Sequence, residues 1–325
     1  MLIAQEKYPS IGVSIIVRDA ERIIDRALDS ARVVCSQIVV VDTGSKDKTP
    51  FKCSRAGTEI YFKKWNEDFS EARNYALQFM RTEWVISLDA DEELDNESFI
   101  AHIHLLKEKN IGGLKVKIIN YLNEDNSLFS VEHSYTRIFR VHDNIRFAGK
   151  IHEQINDSII NAGFDIIDTD IIIKHYGYAN KPSEKNIRNK KLLQEELLTK
   201  PDDAWLKYHL AQTEFSIKNY TKSQILFEDA LKSNKLTIEQ TENIYIKLAQ
   251  IALGNNNFED VFKWTNFISN NVNIEGFRKF ILGMIYIYQN KFKEAETLLN
   301  SPEVLTSTLV ERENLEHLQK IIKKK

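Results

Sequence analysis

Four carboxylates directly follow one apolar stretch of this sequence. Residues 84–88 are apolar at four of five positions, as in a buried strand, and the next five residues include Asp89, Asp91, Glu92 and Glu93. Like charges this close resist ionising together, and a divalent cation would remove that cost. Magnesium and manganese take carboxylate oxygens and share them with phosphates, so acids at a strand end predict a metal-diphosphate site. The alternative is an acidic turn that caps a helix beginning near Asn96 or Ser98.

The elements before these acids favour a parallel, doubly wound sheet. Residues 13–17 and 37–41 are short β-branched runs, and between them apolar residues recur at helical spacing over 23–31. The second run stops at Asp42, in the position where a nucleotide-binding fold places an acid on a ribose or base. The alternative is that Asp42 and Ser45 only shape an Asx-type turn.

One arginine occupies a helix position that disfavours it. A third strand is predicted at residues 58–62, and Ser70 is the predicted N-cap of a helix that continues to about Met80. Arg73 falls in the first turn, where a cation is unfavourable for the helix dipole. This placement suggests an anionic partner, such as a diphosphate or Asp91. The alternative is an ordinary surface ion pair.

The remaining strands of the first half follow a glycine pair. A helix is predicted from about Ser98 to Lys109, and Gly112-Gly113 is expected to break the pattern before a strand at 114–121. A further strand is predicted over Tyr135–Val141, because its residues alternate between two faces. These elements extend the sheet beyond the acidic strand end.

Length and composition exclude several classes of protein. The 325 residues suit two domains, and 42% hydrophobic with 28% charged residues is typical of soluble globular proteins. A net charge of −3 without a basic stripe argues against a nucleic-acid partner. The sequence contains neither G-x-G-x-x-G nor G-x-x-x-x-G-K-[ST], which disfavours the usual dinucleotide fold and a P-loop NTPase. It shows no signal-peptide pattern and no transmembrane segment, so we expect a cytoplasmic protein.

Four motifs in order resemble one known family. They are Val13–Glu21, the loop from Asp42 to Thr49, Phe69–Asn74 and Leu88–Glu92. Together they resemble the family 2 glycosyltransferases of GT-A fold, in which the loop corresponds to D-[DT]-G-S-x-D-x-T and Asp89-Ala90-Asp91 to the D-x-D metal motif. That family transfers a sugar from a nucleotide-diphosphate donor, usually a UDP-sugar, with inversion. The resemblance covers roughly residues 10–180.

The resemblance also implies roles for individual residues. It assigns Asp19, Glu21 and Asp42 to the nucleoside, Arg73 and Asp89 to the ribose and diphosphate, and Asp91 to the metal. One departure concerns the first strand end, where many members have Pro-x-Tyr-Asn and this chain has Val17-Arg18-Asp19-Ala20. This variant is similar to a subgroup with an R/K-[ND]-x-E start, which is often fused to helical repeats.

A second polar cluster offers a base for the reaction. An inverting transfer needs one group to take the proton of the acceptor hydroxyl, and Glu153 and His152 are the candidates. Glu153 is preferred, since carboxylates commonly fill this role in the family. The alternatives are a surface acid for Glu153, and for His152 a role in orienting Glu153, binding the acceptor or packing.

A histidine ends the last strand predicted in this half. His175 follows the apolar run Ile171-Ile172-Ile173, and in GT-A enzymes a late histidine often supplies a further metal ligand. Imidazole binds first-row metals, so ligation by His175 would favour manganese over magnesium. The alternative is a strand-end histidine bonded to a backbone carbonyl.

The pattern becomes helical from about Ser183 and contains a repeat. Leu210-Ala211, Leu248-Ala249 and Leu282-Gly283 are each followed by an aromatic residue about ten positions later, as in tetratricopeptide repeats. We therefore predict an α/β GT-A domain at 1–182 and an all-α helical-repeat domain at 183–325, capped by a helix over 311–325. Such repeats bind a peptide, pair with another copy or dock on the catalytic domain.

The resulting hypothesis is a metal-dependent inverting glycosyltransferase that uses a nucleotide-sugar and a divalent cation, manganese or magnesium. The acceptor would be a protein, peptide or glycan, and the repeats would bind acceptor, partner or a second copy. Two other classes stay open. A nucleotidyltransferase would also use a D-x-D, but it normally needs a glycine-containing loop after the first strand, and residues 18–22 contain no glycine. The other is a non-catalytic repeat scaffold.

Overall fold

The chain divides into two units, Met1–Pro182 and Ser183–Lys325. The structure is a computed structural model, and it describes residues 8–121, 133–176 and 182–325. Strands occur in the first unit, and the described part of the second unit consists of helices and turns. Within the described ranges, none of the helices combines the length and the apolar run that a membrane crossing requires.

The first unit alternates strands and helices along the chain. Its strands are β1 (Ile11–Val17), β2 (Gln37–Asp42), β3 (Glu59–Phe62), β4 (Trp84–Asp89), β5 (Glu92–Leu94), β6 (Ile111–Asn120), β7 (His133–Arg140) and β8 (Asp165–His175). Its helices are α1 (Ile24–Val34), α2 (Thr49–Arg55), α3 (Phe69–Leu77), α4 (Asn96–His102) and α5 (Asn156–Asn161), with a 3₁₀ turn over Ile103–Lys107.

All eight strands form one mixed sheet. Their order is β3-β2-β1-β4-β7-β6-β8-β5. The first four in this order run parallel, so the carboxyl ends of β1, β2 and β4 lie at the same edge. Strand β7 runs antiparallel to β4, and the short β5 pairs antiparallel with β8 at the far end. This topology brings the polar residues after β1, β2 and β4 to one edge.

The sheet is covered on both faces by helices. Successive strand residues point to opposite faces. One face packs Val13, Ile15 and Ile86 against α1, and the other packs Val39 and Val85 against α3 and α5. Both faces are apolar apart from small residues such as Ser14 and Ser87, and the carboxylates of β2 and β4 lie at the strand ends.

Several local predictions were wrong in detail. Gly112 and Gly113 lie inside strand β6 and do not precede it. Position 112 requires a glycine because a Cβ there would come within 2.3 Å of the Phe164 Cβ. The helix expected over 98–109 is the shorter α4 followed by the 3₁₀ turn. The N-cap of α3 is Asp68 and not Ser70, since the Asp68 side chain accepts the backbone N–H of Glu71.

The second unit contains nine helices within its described residues, which are α6 (Pro182–Thr199), α7 (Ala204–Ser216), α8 (Tyr220–Leu231), α9 (Ile238–Gly254), α10 (Phe258–Trp264), α11 (Val272–Tyr288), α12 (Phe292–Leu299), α13 (Pro302–Thr306) and α14 (Arg312–Lys323). Helices α7 and α8, α9 and α10, and α11 and α12 pack as consecutive pairs.

The predicted repeat corresponds to these three helix pairs. Each large–small pair lies on the first helix of its hairpin, and each aromatic residue begins the second helix. The small residue permits close packing: a Cβ on Gly283 in α11 would come within 2.7 Å of Leu299 in α12. Helix α14 lies where a C-terminal capping helix is predicted, and its Leu315 is buried with Leu299 and Val304.

Candidate active site

Asp42 uses one of its two carboxylate oxygens in a turn. The Oδ1 atom accepts the backbone N–H groups of Gly44 at 2.8 Å and Ser45 at 2.7 Å, and Gly44 adopts a positive φ of 111°. Asp42 is 1% exposed, and its Oδ2 has no hydrogen-bond partner among the described residues. The Asx-type turn is therefore present, and it leaves one buried acceptor for another donor.

Asp19 and Glu21 join the loop after β1 to the loop after β2. Asp19 Oδ1 accepts the N–H of Lys46 at 2.7 Å, and Glu21 Oε2 accepts the N–H of Lys48 at 2.8 Å. Asp19 also has a positive φ of 50°, an uncommon conformation for a residue other than glycine. These two carboxylates thus hold the loop that contains Asp42. Their predicted contact with the nucleoside stays a prediction.

Arg73 is the fifth residue of α3 and lies beyond its first turn, so the predicted first-turn position is wrong. It is 4% exposed, so it is not a surface ion pair. Its Nη2 donates to Asp89 Oδ1 at 2.6 Å, its Nη1 to Ser87 Oγ at 2.8 Å, and its Nε to Glu153 Oε1. The anionic partner is therefore Asp89 with Glu153, not Asp91. One guanidinium connects the end of β4 to the predicted base.

A second arginine, Arg137 of β7, contacts the other oxygen of Asp89. Its Nη2 lies 3.2 Å from Asp89 Oδ2 and 2.9 Å from Glu92 Oε1, while Glu92 Oε2 accepts the N–H of Asp89 at 2.8 Å. Burial acts to raise the pKa of Asp89, but the charges of Arg73 and Arg137 hold that pKa well below its usual range. Burial raises the pKa of Glu92 to about 7, against the charge of Arg137.

Asp91 and His175, the two predicted metal ligands, lie next to each other, and their role in binding a metal stays a prediction. The Oδ2 of Asp91 is 3.3 Å from Nε2 of His175, and Nδ1 of His175 is 2.7 Å from Asn120 Oδ1. Strand pairing produces this contact, because Glu92 on β5 pairs with His175 on β8 and Asn120 on β6 pairs with it from the other side. Burial acts to lower the pKa of His175, but the hydrogen bond and charge of Asp91 outweigh burial and raise it.

Glu153 reaches the same cluster from the polar segment after β7. Its Oε1 is paired with Arg73, and no described residue donates a hydrogen bond to its Oε2. His152 adopts a positive φ of 52°, and a bulky residue in this conformation is rare outside turns and functional sites. The structure thus brings Glu153 to Asp89 through Arg73, and the predicted role of His152 stays a prediction.

The charges and donor atoms at this edge fit a divalent cation. Four carboxylates, those of Asp89, Asp91, Glu92 and Glu153, lie with two guanidiniums, those of Arg73 and Arg137. When all four carboxylates are ionised they outnumber the guanidiniums by two, and the raised pKa values of Glu92 and His175 both reduce that excess near neutral pH. One carboxylate and one imidazole face each other, and Asn120 orients the imidazole as an outer-sphere partner would. No group of three or more His, Cys, Asp and Glu ligands occurs among the described residues, so other ligand oxygens would have to complete the coordination.

Sequence reasoning did not assign a role to Arg137, Glu92, Ser87 or Asn120. Arg137 and Asn120 belong to strands that meet the acidic strand end only through the sheet pairing. The sequence does give one signal for Arg137, because an arginine in the middle of a strand between two buried residues needs an acidic partner.

Comparisons with known proteins identify the family to which the first unit is similar. Residues 13–174 match the family described as Glycosyl transferase family 2. A TPR repeat-containing protein of Synechococcus elongatus is 31% identical over 206 residues, which cover 60% of this chain and 50% of that protein. The SPbeta prophage-derived glycosyltransferase SunS of Bacillus subtilis is 27% identical over 320 residues, which cover 92% of this chain and 72% of SunS.

A solved structure is similar over most of the chain at low identity. The crystal structure of S. aureus TarS 1-349 in complex with UDP-GlcNAc covers 89% of this chain and 90% of that chain, with 15% identity and a TM-score of 0.43. This similarity is too low to transfer a function. The predicted fold class, an α/β GT-A domain followed by an all-α unit, is confirmed. Because residues 13–174 match that family, the chain belongs to the family 2 glycosyltransferases.

Proposed function

We propose that this glycosyltransferase is metal-dependent, uses a UDP-sugar as donor and inverts the anomeric centre. The observation that carries the proposal is the facing carboxylate and imidazole of Asp91 and His175, 3.3 Å apart at a strand end. Carboxylate oxygen and imidazole nitrogen are both ligands of first-row metals, and a bound cation would offset the repulsion among the neighbouring acids.

The donor nucleoside is assigned to the end of β2. A uracil ring carries one N–H group, and Asp42 Oδ2 is a buried acceptor without a described partner. Pairing the two would satisfy an acceptor that is otherwise costly to bury. The loops held together by Asp19 and Glu21 keep Asp42 in place for this contact.

The donor diphosphate is assigned to the edge between β4 and β8. Asp91 and His175 would hold the cation, with the remaining ligands from diphosphate oxygens and water, and the imidazole favours manganese. When bound, the cation stabilises the negative charge of the departing diphosphate. Arg73 and Arg137 hold Asp89 at this edge, where the family resemblance assigns it to the ribose and diphosphate of the donor.

The proton of the acceptor is assigned to Glu153. As the acceptor oxygen forms its bond to the anomeric carbon, the bond from that carbon to the phosphate oxygen breaks and UDP leaves. The acceptor proton moves to Glu153, whose Oε2 is not used by a described residue while Arg73 holds Oε1. His152 is the second candidate for this step or for binding the acceptor.

The acceptor is proposed to be a protein, peptide or glycan, and the helix pairs of the second unit to bind that acceptor or a partner. SunS is named a glycosyltransferase and aligns with 92% of this chain, so both units are represented in a glycosyltransferase-named relative. Paired repeat helices commonly form a surface for a peptide or for a second copy.

Thermal unfolding tests this proposal directly. The full chain is melted with UDP, GDP, CMP and UDP-sugars, each with and without manganese. A ligand at 100 times its dissociation constant stabilises the folded state by about 2.7 kcal/mol, which is a readable shift. We expect a manganese-dependent response to UDP that Asp91→Ala abolishes.

A matched control keeps the same chemistry on the surface. Asp168→Ala removes an exposed carboxylate of β8 that pairs with Lys115 at 3.2 Å, and it should respond to UDP like the wild type. If the wild type responds to no nucleotide with or without metal, the proposed donor site is wrong. The alternative of a non-catalytic repeat scaffold is then favoured.

A further inference from the structure

Arg137 joins strand β7 to the acidic end of β4 through its side chain. It lies on β7, its side chain is 16% exposed, and it reaches both Asp89 and Glu92 through Nη2. Strand β7 is the antiparallel neighbour of β4, with Ile138 paired to Ile86. Arg137 is therefore attached to the rigid centre of the sheet and not to a surface loop.

Three contacts close a ring around the turn after β4. Arg137 bridges the Asp89 and Glu92 side chains, and Glu92 Oε2 accepts the backbone N–H of Asp89 at 2.8 Å. The ring encloses the segment from Asp89 to Glu92, and Asp91 lies inside that segment. The direction of the Asp91 side chain thus depends on the positions of the two residues that Arg137 holds.

We propose that Arg137 is a positioning residue for sugar transfer, which fixes the turn from Asp89 to Glu92 so that Asp91 faces the donor diphosphate. This inference rests on the proposed function. Arg137 acts through Asp89 and Glu92 and need not contact the donor itself. Residues that orient a metal-binding group from behind commonly change affinity about 10–100-fold when removed.

The contacts of Asp89 indicate that the fold survives the loss of Arg137. Arg73 still holds Asp89 Oδ1 at 2.6 Å, and the backbone of Asp89 remains paired with Ile16 of β1. What is lost is the constraint on Asp89 Oδ2 and on Glu92 Oε1. Removing Arg137 should therefore loosen the turn more than it weakens the sheet.

Arg140 provides a matched control on the same strand. It donates to the carbonyl of Ile111 at 2.7 Å and to that of Glu108 at 2.8 Å, and its guanidinium lies 4.7 Å from the centre of the Trp84 ring. These contacts serve the fold at a distance from the acidic turn. Arg140→Met thus removes the same side chain from the same strand without touching the proposed site.

The experiment measures UDP binding by the full chain in the presence of manganese, by titration calorimetry, with melting temperatures recorded for each variant. We expect Arg137→Met to raise the Kd for UDP by about tenfold or more. We expect Arg140→Met to leave that Kd within about twofold, even where its melting temperature falls further. If Arg137 had only a structural role, Arg137→Met would lower the melting temperature and leave the Kd for UDP within about twofold, as we expect for Arg140→Met.

Arg137→Lys provides a second variant if Arg137→Met does not fold. A lysine keeps the charge but lacks the planar fork that reaches two acceptors, so its Kd should lie between those of the wild type and Arg137→Met. Wild-type binding with an unchanged Kd in Arg137→Lys and Arg137→Met would overturn this inference and leave the proposed function intact. Absence of UDP binding by the wild type would overturn the proposed function, and this inference with it.

Discussion

The two units of this protein treat buried charge differently. In the helical unit, Glu214 is 0% exposed, and its carboxylate lies 3.1 Å from Lys190 Nζ and 3.0 Å from Lys222 Nζ. Burial acts to raise the pKa of Glu214, but hydrogen bonds from Lys222, Lys190 and Asn219 outweigh burial and lower it. Each buried negative charge here is matched by neighbouring cations.

Glu275 follows the same rule at the start of α11. Arg278 pairs with it at 2.6 Å, and the backbone N–H of Ser269 donates to it at 3.1 Å. Burial acts to raise the pKa of Glu275, but the hydrogen bond from Arg278 leads a set of contacts that lower it. The fold itself therefore supplies what this carboxylate needs.

The sheet edge of the first unit compensates its acids unevenly, because Arg73 and Arg137 hold the pKa of Asp89 well below its usual range. Glu92 is 2% exposed, and burial raises its pKa to about 7 although Arg137 is beside it. The difference between the units teaches how to read buried charge. In the helical unit Glu214 and Glu275 each have their own cations, whereas at the sheet edge two guanidiniums are shared among several acids. Acids that share cations and have perturbed pKa values at strand ends indicate a functional site.

Replacing Asp89 should have the largest effect and would be the sharpest test of this contrast. Asp89→Asn keeps the shape but removes the negative charge between Arg73 and Arg137. We expect sugar transfer to fall by at least about 100-fold, the scale seen when one preorganised electrostatic group is lost from an active site. The measurement is the rate of UDP release from a UDP-sugar in the presence of acceptor.

The comparison variant for this prediction is Glu214→Gln. It removes a buried charge that is paired within the helical unit, away from the sheet edge, and it should leave the rate of sugar transfer by the folded protein unchanged. If both variants lose transfer to the same extent, the distinction between structural and functional buried charge does not hold for this chain.

The second prediction concerns the stability of the protein and a buried acid of the helical unit, Glu214. Glu214→Gln leaves Lys190 and Lys222 without their buried acid. We expect the free energy of unfolding to fall by about 3 kcal/mol, as when one partner of a buried pair is removed. Chemical denaturation of the full chain gives this value.

An exposed acid in the same unit serves as the control for stability. Glu313→Gln in α14 changes the same functional group on the surface, and it should alter the free energy of unfolding by less than about 0.5 kcal/mol. An equal loss of unfolding free energy in both variants would mean that the buried ion pairs of Glu214 do not stabilise the protein.

Local patterns were sufficient for most of the fold. The β-branched runs before Asp42 and Asp89 and the helical spacing after Ser183 correspond to observed elements because their periodicity reflects burial. The pair Gly112-Gly113 was misread, since the reason for two glycines is a tertiary neighbour, Phe164, that the local pattern does not contain. The three-residue β5 was missed for the same reason, because its pairing partner is β8.

The candidate site shows the same division. The proximity of Asp91 and His175 could be predicted, since a known family arrangement links a D-x-D motif to a late histidine. The engagement of Arg73 with Asp89 and Glu153 could not, because it depends on how far α3 and the segment after β7 are from β4 in space. Residues that belong to a sequence motif can be predicted from the sequence. The contacts that hold their side chains in place cannot, because they depend on the tertiary structure.

The pH dependence of stability gives the smallest effect and tests whether charge is what matters at Glu214. Its folded pKa is lowered from the ordinary value of 4.5. The stabilisation is therefore fully present above about pH 4.5 and is lost as the pH falls, because the unfolded chain takes up the proton first. The difference in unfolding free energy between the wild type and Glu214→Gln should be constant from pH 5 to 7 and shrink by up to about 1.4 kcal/mol per pH unit below that. Denaturation curves at several pH values measure this difference, and a difference that stays the same down to pH 3 would show that Glu214 acts through its shape and hydrogen bonds.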